Sequence, residues 1–185
     1  MTPKTVTPVK KKTNNSFLTF ILNNEFFALG VEKVLEIIET SEENTLTNLP
    51  KAPESVEGVV NFRGNVIPIV NTRLKFDMPA YASNERFVIM VLQLNIGGVQ
   101  QIIGTMADKV VDVIEIQEKD IQAVPEVGQG VNSDYIQGVV HRQDKFIMLL
   151  DLESAIQSDE IIRLEDTVET EEGAEDAIVE ETIEV

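Results

Sequence analysis

Few side chains in this chain are placed to do covalent or acid–base chemistry. The single histidine, His141, falls at the end of a predicted strand. A lone imidazole there, with no orienting partner beside it, reads as a surface or turn residue and not as a general base. There is no cysteine, so there is no disulfide framework, thiolate metal site or thiol nucleophile. Metal ligation would fall to carboxylates alone. Asp108 and Asp112, like Glu32 and Glu36, are four residues apart. On strands that spacing keeps both members on one face but separates them by about 13 Å, so each pair reads as solvated charge. No Gly-x-Ser-x-Gly elbow, phosphate-binding loop or dinucleotide fingerprint occurs. The residue types therefore point away from an enzyme, a cofactor or a metal. What remains is suited to contacts with another protein. Arg63 falls at the tip of a predicted hairpin, where a guanidinium presents several donors in a fixed fork. Val34 and Glu36 share one face of a predicted strand, an apolar contact beside a charge.

These residues sit in a chain that repeats itself. Ser55-Val56-Glu57-Gly58-Val59-Val60 returns 80 residues later as Tyr135-Ile136-Gln137-Gly138-Val139-Val140. At the same offset Val66-Ile67-Pro68-Ile69-Val70-Asn71 returns as Phe146-Ile147-Met148-Leu149-Leu150-Asp151. Glu32-Lys33-Val34 is matched by Asp108-Lys109-Val110. Positions the halves share are candidates for structure, and positions where they differ are candidates for function. The clearest difference is the turn, Asn61-Phe62-Arg63-Gly64-Asn65 against His141-Arg142-Gln143-Asp144-Lys145. Gly58, by contrast, is duplicated as Gly138, which suits close backbone packing at least as well as a partner contact.

Short β-rich runs bounded by Asn, Gly, Pro or Asp predict strands at 16–22, 25–30, 34–40, 57–62, 65–70, 86–94, 99–105, 110–116, 136–141 and 145–150. Asn23-Asn24 and Gly97-Gly98 suit tight hairpin turns, and Arg63-Gly64 is a third candidate. Two repeated sets of five strands imply two small barrels in an all-β fold. The 65–70 run is apolar on both faces, which implies burial on both sides, and Pro68 belongs at an edge or bulge. Short helices are expected at 71–76 and 151–156, capped by Asn71 and Asp151. The segment 77–85 reads as the hinge between the repeats. Residues 1–15 read as a flexible basic N-terminus, 16–156 as the folded domain, and 157–185 as an acidic, disordered tail with a weak helix signal near 161–164.

Net charge is −17. Residues 158–185 hold −11 of it, the first fifteen residues carry +4, and the stretch between them carries −10. So negative a surface, without a basic stripe, cannot bind nucleic acid through counterion release. No apolar run reaches the ~20 residues that cross a bilayer, and Phe17–Leu22 is too short for a signal-peptide core. The expectation is a cytoplasmic protein with no membrane insertion.

The run from Pro50 to Arg73 closely resembles the signature of the CheW chemotaxis adaptor family, whose domain also forms the regulatory domain of the histidine kinase CheA. The family pattern is roughly Pro-x-x-Pro, then Gly-Val-Ile-Asn-Leu-Arg-Gly, then Val-Pro-Ile-Val-Asp-Leu-Arg. Here it stands as Pro50-Lys51-Ala52-Pro53, Gly58-Val59-Val60-Asn61-Phe62-Arg63-Gly64 and Ile67-Pro68-Ile69-Val70-Asn71-Thr72-Arg73. The likeness extends over residues 16–156, including Tyr135-Ile136-Gln137-Gly138 and Leu149-Leu150-Asp151-Leu152. Phe62 replaces the usual Leu, Asn71-Thr72 replaces Asp-Leu, and the acidic tail has no counterpart in the minimal adaptor. The resemblance implies two SH3-like five-stranded β-barrels with short connecting helices. It also implies an adaptor that couples the cytoplasmic tip of methyl-accepting chemoreceptors to the regulatory domain of CheA, within receptor arrays at the inner membrane. By position it assigns receptor or kinase contact to Val34, Glu36, Gly58 and Arg63, with Arg63 mainly on the receptor side. An apolar groove between the barrels is expected to take the receptor tip, and a barrel edge to meet a matching barrel of the kinase. The alternatives are a scaffold of the same fold serving motility or polar localisation, a small-ligand binder or enzyme on two barrels, and a kinase fragment. The start at Met1 and the acidic end favour a standalone adaptor over the last of these.

Overall fold

The computed structural model describes residues 15–40, 46–124 and 135–156. The basic N-terminus, the acidic tail and the 161–164 helix expected from the sequence lie outside the described residues. The elements run β1 (Ser16–Leu22), β2 (Glu25–Gly30), β3 (Val34–Glu39), β4 (Val56–Phe62), β5 (Asn65–Val70), α1 (Thr72–Lys75), β6 (Val88–Ile96), β7 (Val99–Ala107), β8 (Lys109–Glu115), β9 (Ile136–Arg142), β10 (Lys145–Leu150) and α2 (Leu152–Ala155). Single 3₁₀ turns at Val31–Lys33 and Glu118–Asp120 complete the set.

Local chemistry accounts for the turns and caps. All four tight hairpins turn through two residues of positive φ: Asn23-Asn24, Arg63-Gly64, Gly97-Gly98 and Gln143-Asp144. That geometry matches the right-handed twist of the flanking strands. Asn71 accepts from the Leu74 amide at 3.2 Å and Asp151 from the Ser154 amide at 3.1 Å, capping the two short helices as expected. For Asp151, burial opposes the charge, but the Ser154 hydrogen bonds and the nearby Lys33 hold its carboxyl below the usual range.

Two curled five-stranded sheets result, in the orders β8-β1-β2-β10-β9 and β3-β6-β7-β5-β4. The fold is thus the pair of small barrels the sequence implied, but each barrel draws strands from both halves of the duplication. The first barrel unites the β1–β2 hairpin with β8, β9 and β10. The second unites the β6–β7 hairpin with β3, β4 and β5. Each half therefore lends its hairpin to the other half's three strands. Residues 77–85 do join the two repeats, yet the strands they connect, β5 and β6, belong to one barrel. The chain changes barrel elsewhere, at Val31–Lys33 between β2 and β3 and at Asp108 between β7 and β8.

The hydrophobic pattern explains why the barrels stay together. In β6, Ile89 and Val91 fill the second barrel, while Met90, Leu92, Leu94 and Ile96 face away from it. Those outward residues pack with Leu18, Phe20, Leu22, Phe27 and Leu29 of the first barrel's hairpin in one shared core. Strand alternation gives each hairpin two apolar faces, one for its own barrel and one for its neighbour. Phe20, Phe27 and Phe76 are fully buried at the centre of that shared core, their rings stacked in sequence at centroid spacings of 6.0 and 6.4 Å.

Candidate partner-binding surface

Arg63 stands at the β4–β5 tip with its own φ at +52°, a turn closed by the Gly64 amide donating to Asn61 Oδ1 at 3.0 Å. Its guanidinium lies over the Phe62 ring, 4.8 Å from the centroid, and Nη2 reaches Glu36 Oε2 at 2.8 Å. Glu36 is on β3, at the opposite edge of the same sheet. The pair therefore bridges the seam where the curled sheet comes back on itself, and both side chains remain well exposed, at 69 and 43%. The first barrel closes its seam differently, with Arg142 Nη1 donating to the Glu115 carbonyl at 3.1 Å. Two of the residues expected to form a site, separated by 27 positions, are thus in direct contact.

The other two are placed apart from that pair. Val34 and Glu36 do not share a face, because the β3–β6 ladder slips between them: Val34 pairs with Leu92 and Glu36 with Val91. Leu35 is the extra residue of a β-bulge, which breaks the alternation. Val34 packs half-buried on the shared core, while Leu35, Glu36 and Ile37 all face solvent. Gly58 is buried, and a Cβ there would lie 2.4 Å from the Thr47 carbonyl oxygen. Gly138 repeats the arrangement beneath Ile121 and Gln122. The space between the barrels, expected as an apolar groove, is filled by the shared core. Among the apolar side chains that do face out are Leu35, Ile37 and Val66 on the second barrel, with Val111, Val113 and Phe146 at the duplicated positions of the first, while Val99 and Ile102 are exposed on the central strand β7.

No reactive constellation forms among the described residues. His141 is exposed and lies tilted against Phe146, with ring centroids 4.9 Å apart. Asp112 is tied to its neighbours, accepting from the Val113 amide at 2.7 Å. No group of three or more His, Cys, Asp or Glu side chains there could hold a metal, and no helix there is long and apolar enough to cross a membrane.

One polar cluster escaped the sequence reading. Arg73, on α1 and only 7% exposed, donates from Nε to Asp108 Oδ1 at 2.9 Å and pairs through Nη2 with Asp108 Oδ2 at 2.7 Å. It also meets both oxygens of Glu85, at 3.2 and 2.5 Å, and covers the Tyr81 ring at 3.9 Å. Asp108 further accepts from Tyr81 Oη and from the Asn23 amide, both at 2.8 Å. Burial works against charge on Arg73, but its hydrogen bonds to Asp108 and Glu85 outweigh it and raise the pKa. Burial, then the bond to Asp108, pushes the Tyr81 phenol well above its ordinary range. The signal that could have revealed the cluster is the duplication itself: Arg73 is matched by Glu153, a reversal of charge at an equivalent site.

With this geometry in hand, comparisons with known proteins are informative. The family model described as the CheW-like domain matches residues 16–160. The chain is 30% identical over 145 residues to the chemotaxis protein CheW of Klebsiella aerogenes, covering 78% of this chain and 83% of that protein. It is 32% identical over 143 residues to the chemotaxis protein CheW of Helicobacter pylori, covering 77% and 82%. In fold it is similar to the crystal structure of the scaffolding protein TtCheW from Thermoanaerobacter tengcongensis. The TM-score is 0.67 at 24% identity, over 82% of this chain and 93% of that one.

Proposed function

The chain belongs to the CheW-like family of chemotaxis adaptors, and we propose that it links the cytoplasmic tips of methyl-accepting chemoreceptors to the regulatory domain of the kinase CheA. In this reading it performs no chemistry of its own and works in the cytoplasm, at receptor arrays on the inner membrane. The observation that carries the proposal is the exposed Arg63–Glu36 pair across the seam of the second barrel. An exposed ion pair contributes little to stability, at most about 1 kcal/mol, so fold maintenance gives weak reason to hold an arginine there. It does hold a rigid fork of donors in one orientation for an incoming acceptor. Receptor contact is assigned to Arg63 and Glu36. The barrel edges, with Leu35 and Ile37 on one side and Val111 and Val113 on the other, are assigned to the matching barrels of the kinase domain. Gly58 and Val34 support this surface from beneath, through the Thr47 approach and the shared core.

Coupling through one rigid module is geometric: it transmits bias only as far as its contacts differ between receptor states. Each contact can be weak, because an array raises effective concentration. The test is Arg63→Glu, which places like charges at the tip and on Glu36. The melting temperature is expected to stay within a few degrees of the parent, while receptor control of kinase activity in reconstituted membranes is lost. Grossly unfolded circular dichroism for this variant, or full receptor control, would overturn the role given to Arg63.

A further inference from the structure

The chain crosses between barrels twice, and at each crossing an ion pair ties it to one of the two short helices. At the second crossing, Asp108 is held by Arg73 of α1 and by the Asn23 amide of the opposite barrel's hairpin turn. At the first, an ion pair again joins crossing to helix, but the base is on the crossing, at Lys33 one position past Glu32 (the duplicate of Asp108), and the acid is on the helix. Lys33 Nζ meets Glu153 Oε2 of α2 at 3.0 Å, and Glu153 Oε1 accepts from the Asn95 amide of the opposite barrel's hairpin at 2.8 Å. The settings differ. Arg73 is 7% exposed, engages a second carboxylate, and lies against Tyr81. Lys33 and Glu153 are 27 and 31% exposed, so solvent reaches both partners. A site held by few, solvent-reached contacts opens before one that is buried and multiply bonded.

We infer that the two crossings differ in stiffness, the Arg73–Asp108 crossing acting as the fixed pivot and the Lys33–Glu153 crossing as the yielding one. Lys33 and Glu153 are then positioning residues for the partner surface. Lys33 is followed directly by Val34, the start of β3, and the Leu35 bulge and Glu36 come next. Loosening the crossing shifts β3 and with it Glu36, the ion-pair partner of Arg63. A partner that closes or opens this pair alters the Arg63 fork without touching it. This functional consequence rests on the adaptor reading above, whereas the difference in stiffness does not.

The test uses the full chain and amide hydrogen exchange followed by NMR. Lys33→Glu is expected to speed exchange about threefold to fivefold at residues 34–37 and 152–156, the range an exposed ion pair can supply. Residues 73–78, at the other crossing, stay unchanged. Lys33→Glu combined with Glu153→Lys restores slow exchange at 34–37 but not at Asn95, whose amide has lost its carboxylate. Should Lys33→Glu fold poorly, Glu153→Gln keeps an acceptor for Asn95, removes the charge, and gives a smaller acceleration of the same residues. Unchanged exchange at 34–37, or acceleration spread evenly over both crossings, overturns the inference. In reconstituted receptor–kinase membranes, Lys33→Glu lowers the receptor-dependent change in kinase activity, and the charge-exchanged pair recovers it. Failure of the parent protein to bind the kinase would sink the adaptor reading, and the exchange pattern would still decide the stiffness claim.

Discussion

Arg63 and Arg73, ten positions apart, put the same group to opposite uses. Arg63 keeps its fork in solvent on two light supports, Glu36 and the Phe62 ring. Arg73 is buried and fully engaged, as an internal guanidinium must be. Arg63 was legible in the sequence, because a turn flanked by strands and changed in the duplicate marks a tip. Arg73 was not, because Thr72-Arg73-Leu74-Lys75 reads as an ordinary polar turn of helix and its partners lie 12 and 35 residues away. Between them sits Thr72, fully buried where its duplicate Leu152 belongs to the shared core. Its Oγ1 has no hydrogen-bond partner among the described residues. A buried hydroxyl left unpaired costs about 1–3 kcal/mol. Thr72→Val, which keeps the shape and drops the hydroxyl, should raise stability by about 1 kcal/mol and the melting temperature by about 2–4 °C. A lower melting temperature for the valine variant would show that the hydroxyl is satisfied.

Among the elements, the duplicated strands β5 and β10 show what one proline does to a sheet. β10 pairs in parallel with β2 through Ile147, Met148 and Leu149. β5 pairs with β7 only through Ile69 and Val70, and Pro68, the counterpart of Met148, lies just outside that ladder. With no N–H to give, Pro68 sits opposite Val59, whose own amide and carbonyl bond to Thr47 at 2.9 and 3.0 Å. The edge or bulge expected for Pro68 is not what the structure shows: β5 lies between β7 and β4, and the proline is accommodated because the β7 ladder begins only at Ile69. The bulge at Leu35 was not legible in the sequence, since Val34-Leu35-Glu36-Ile37 contains no Gly or Pro to mark one. The Thr47–Val59 contact also closes off the space beside Gly58. Replacing Gly58 by Ala drives a methyl into a backbone carbonyl, and overpacking of that kind costs about 1–3 kcal/mol. At Gly138 the nearest atom is the Ile121 side chain, with the Gln122 carbonyl at 3.0 Å. Gly58→Ala is therefore expected to lower the urea midpoint further than Gly138→Ala does. Equal stability of Gly58→Ala and the parent, with partner binding lost, would instead make Gly58 a contact residue.

At the scale of the whole molecule, duplication was legible and its exchange of hairpins was not. Strand pattern reports which residues pair with some neighbour, but which half supplies the neighbour depends on contacts far apart in sequence. The consequence is mechanical unity, since neither half contains a complete barrel and the largest core lies between the barrels. Unfolding should be a single transition. Tyr81 reports from the second barrel and Tyr135 from the edge of the shared core. In single-tyrosine variants, each fluorescence signal should melt together with the far-ultraviolet circular dichroism, and a tyrosine melting ahead of it would refute that unity. Rigidity of this kind is what an adaptor needs if it is to pass receptor state to a kinase without dissipating it. The most direct measurement is calorimetric titration of the purified chain with the regulatory domain of CheA from the same organism. The account predicts saturable binding with Kd of about 1 μM, near −8 kcal/mol, retained in Arg63→Glu. No heat of binding from a demonstrably folded protein would contradict the coupling role and point to a scaffold working outside the chemosensory array.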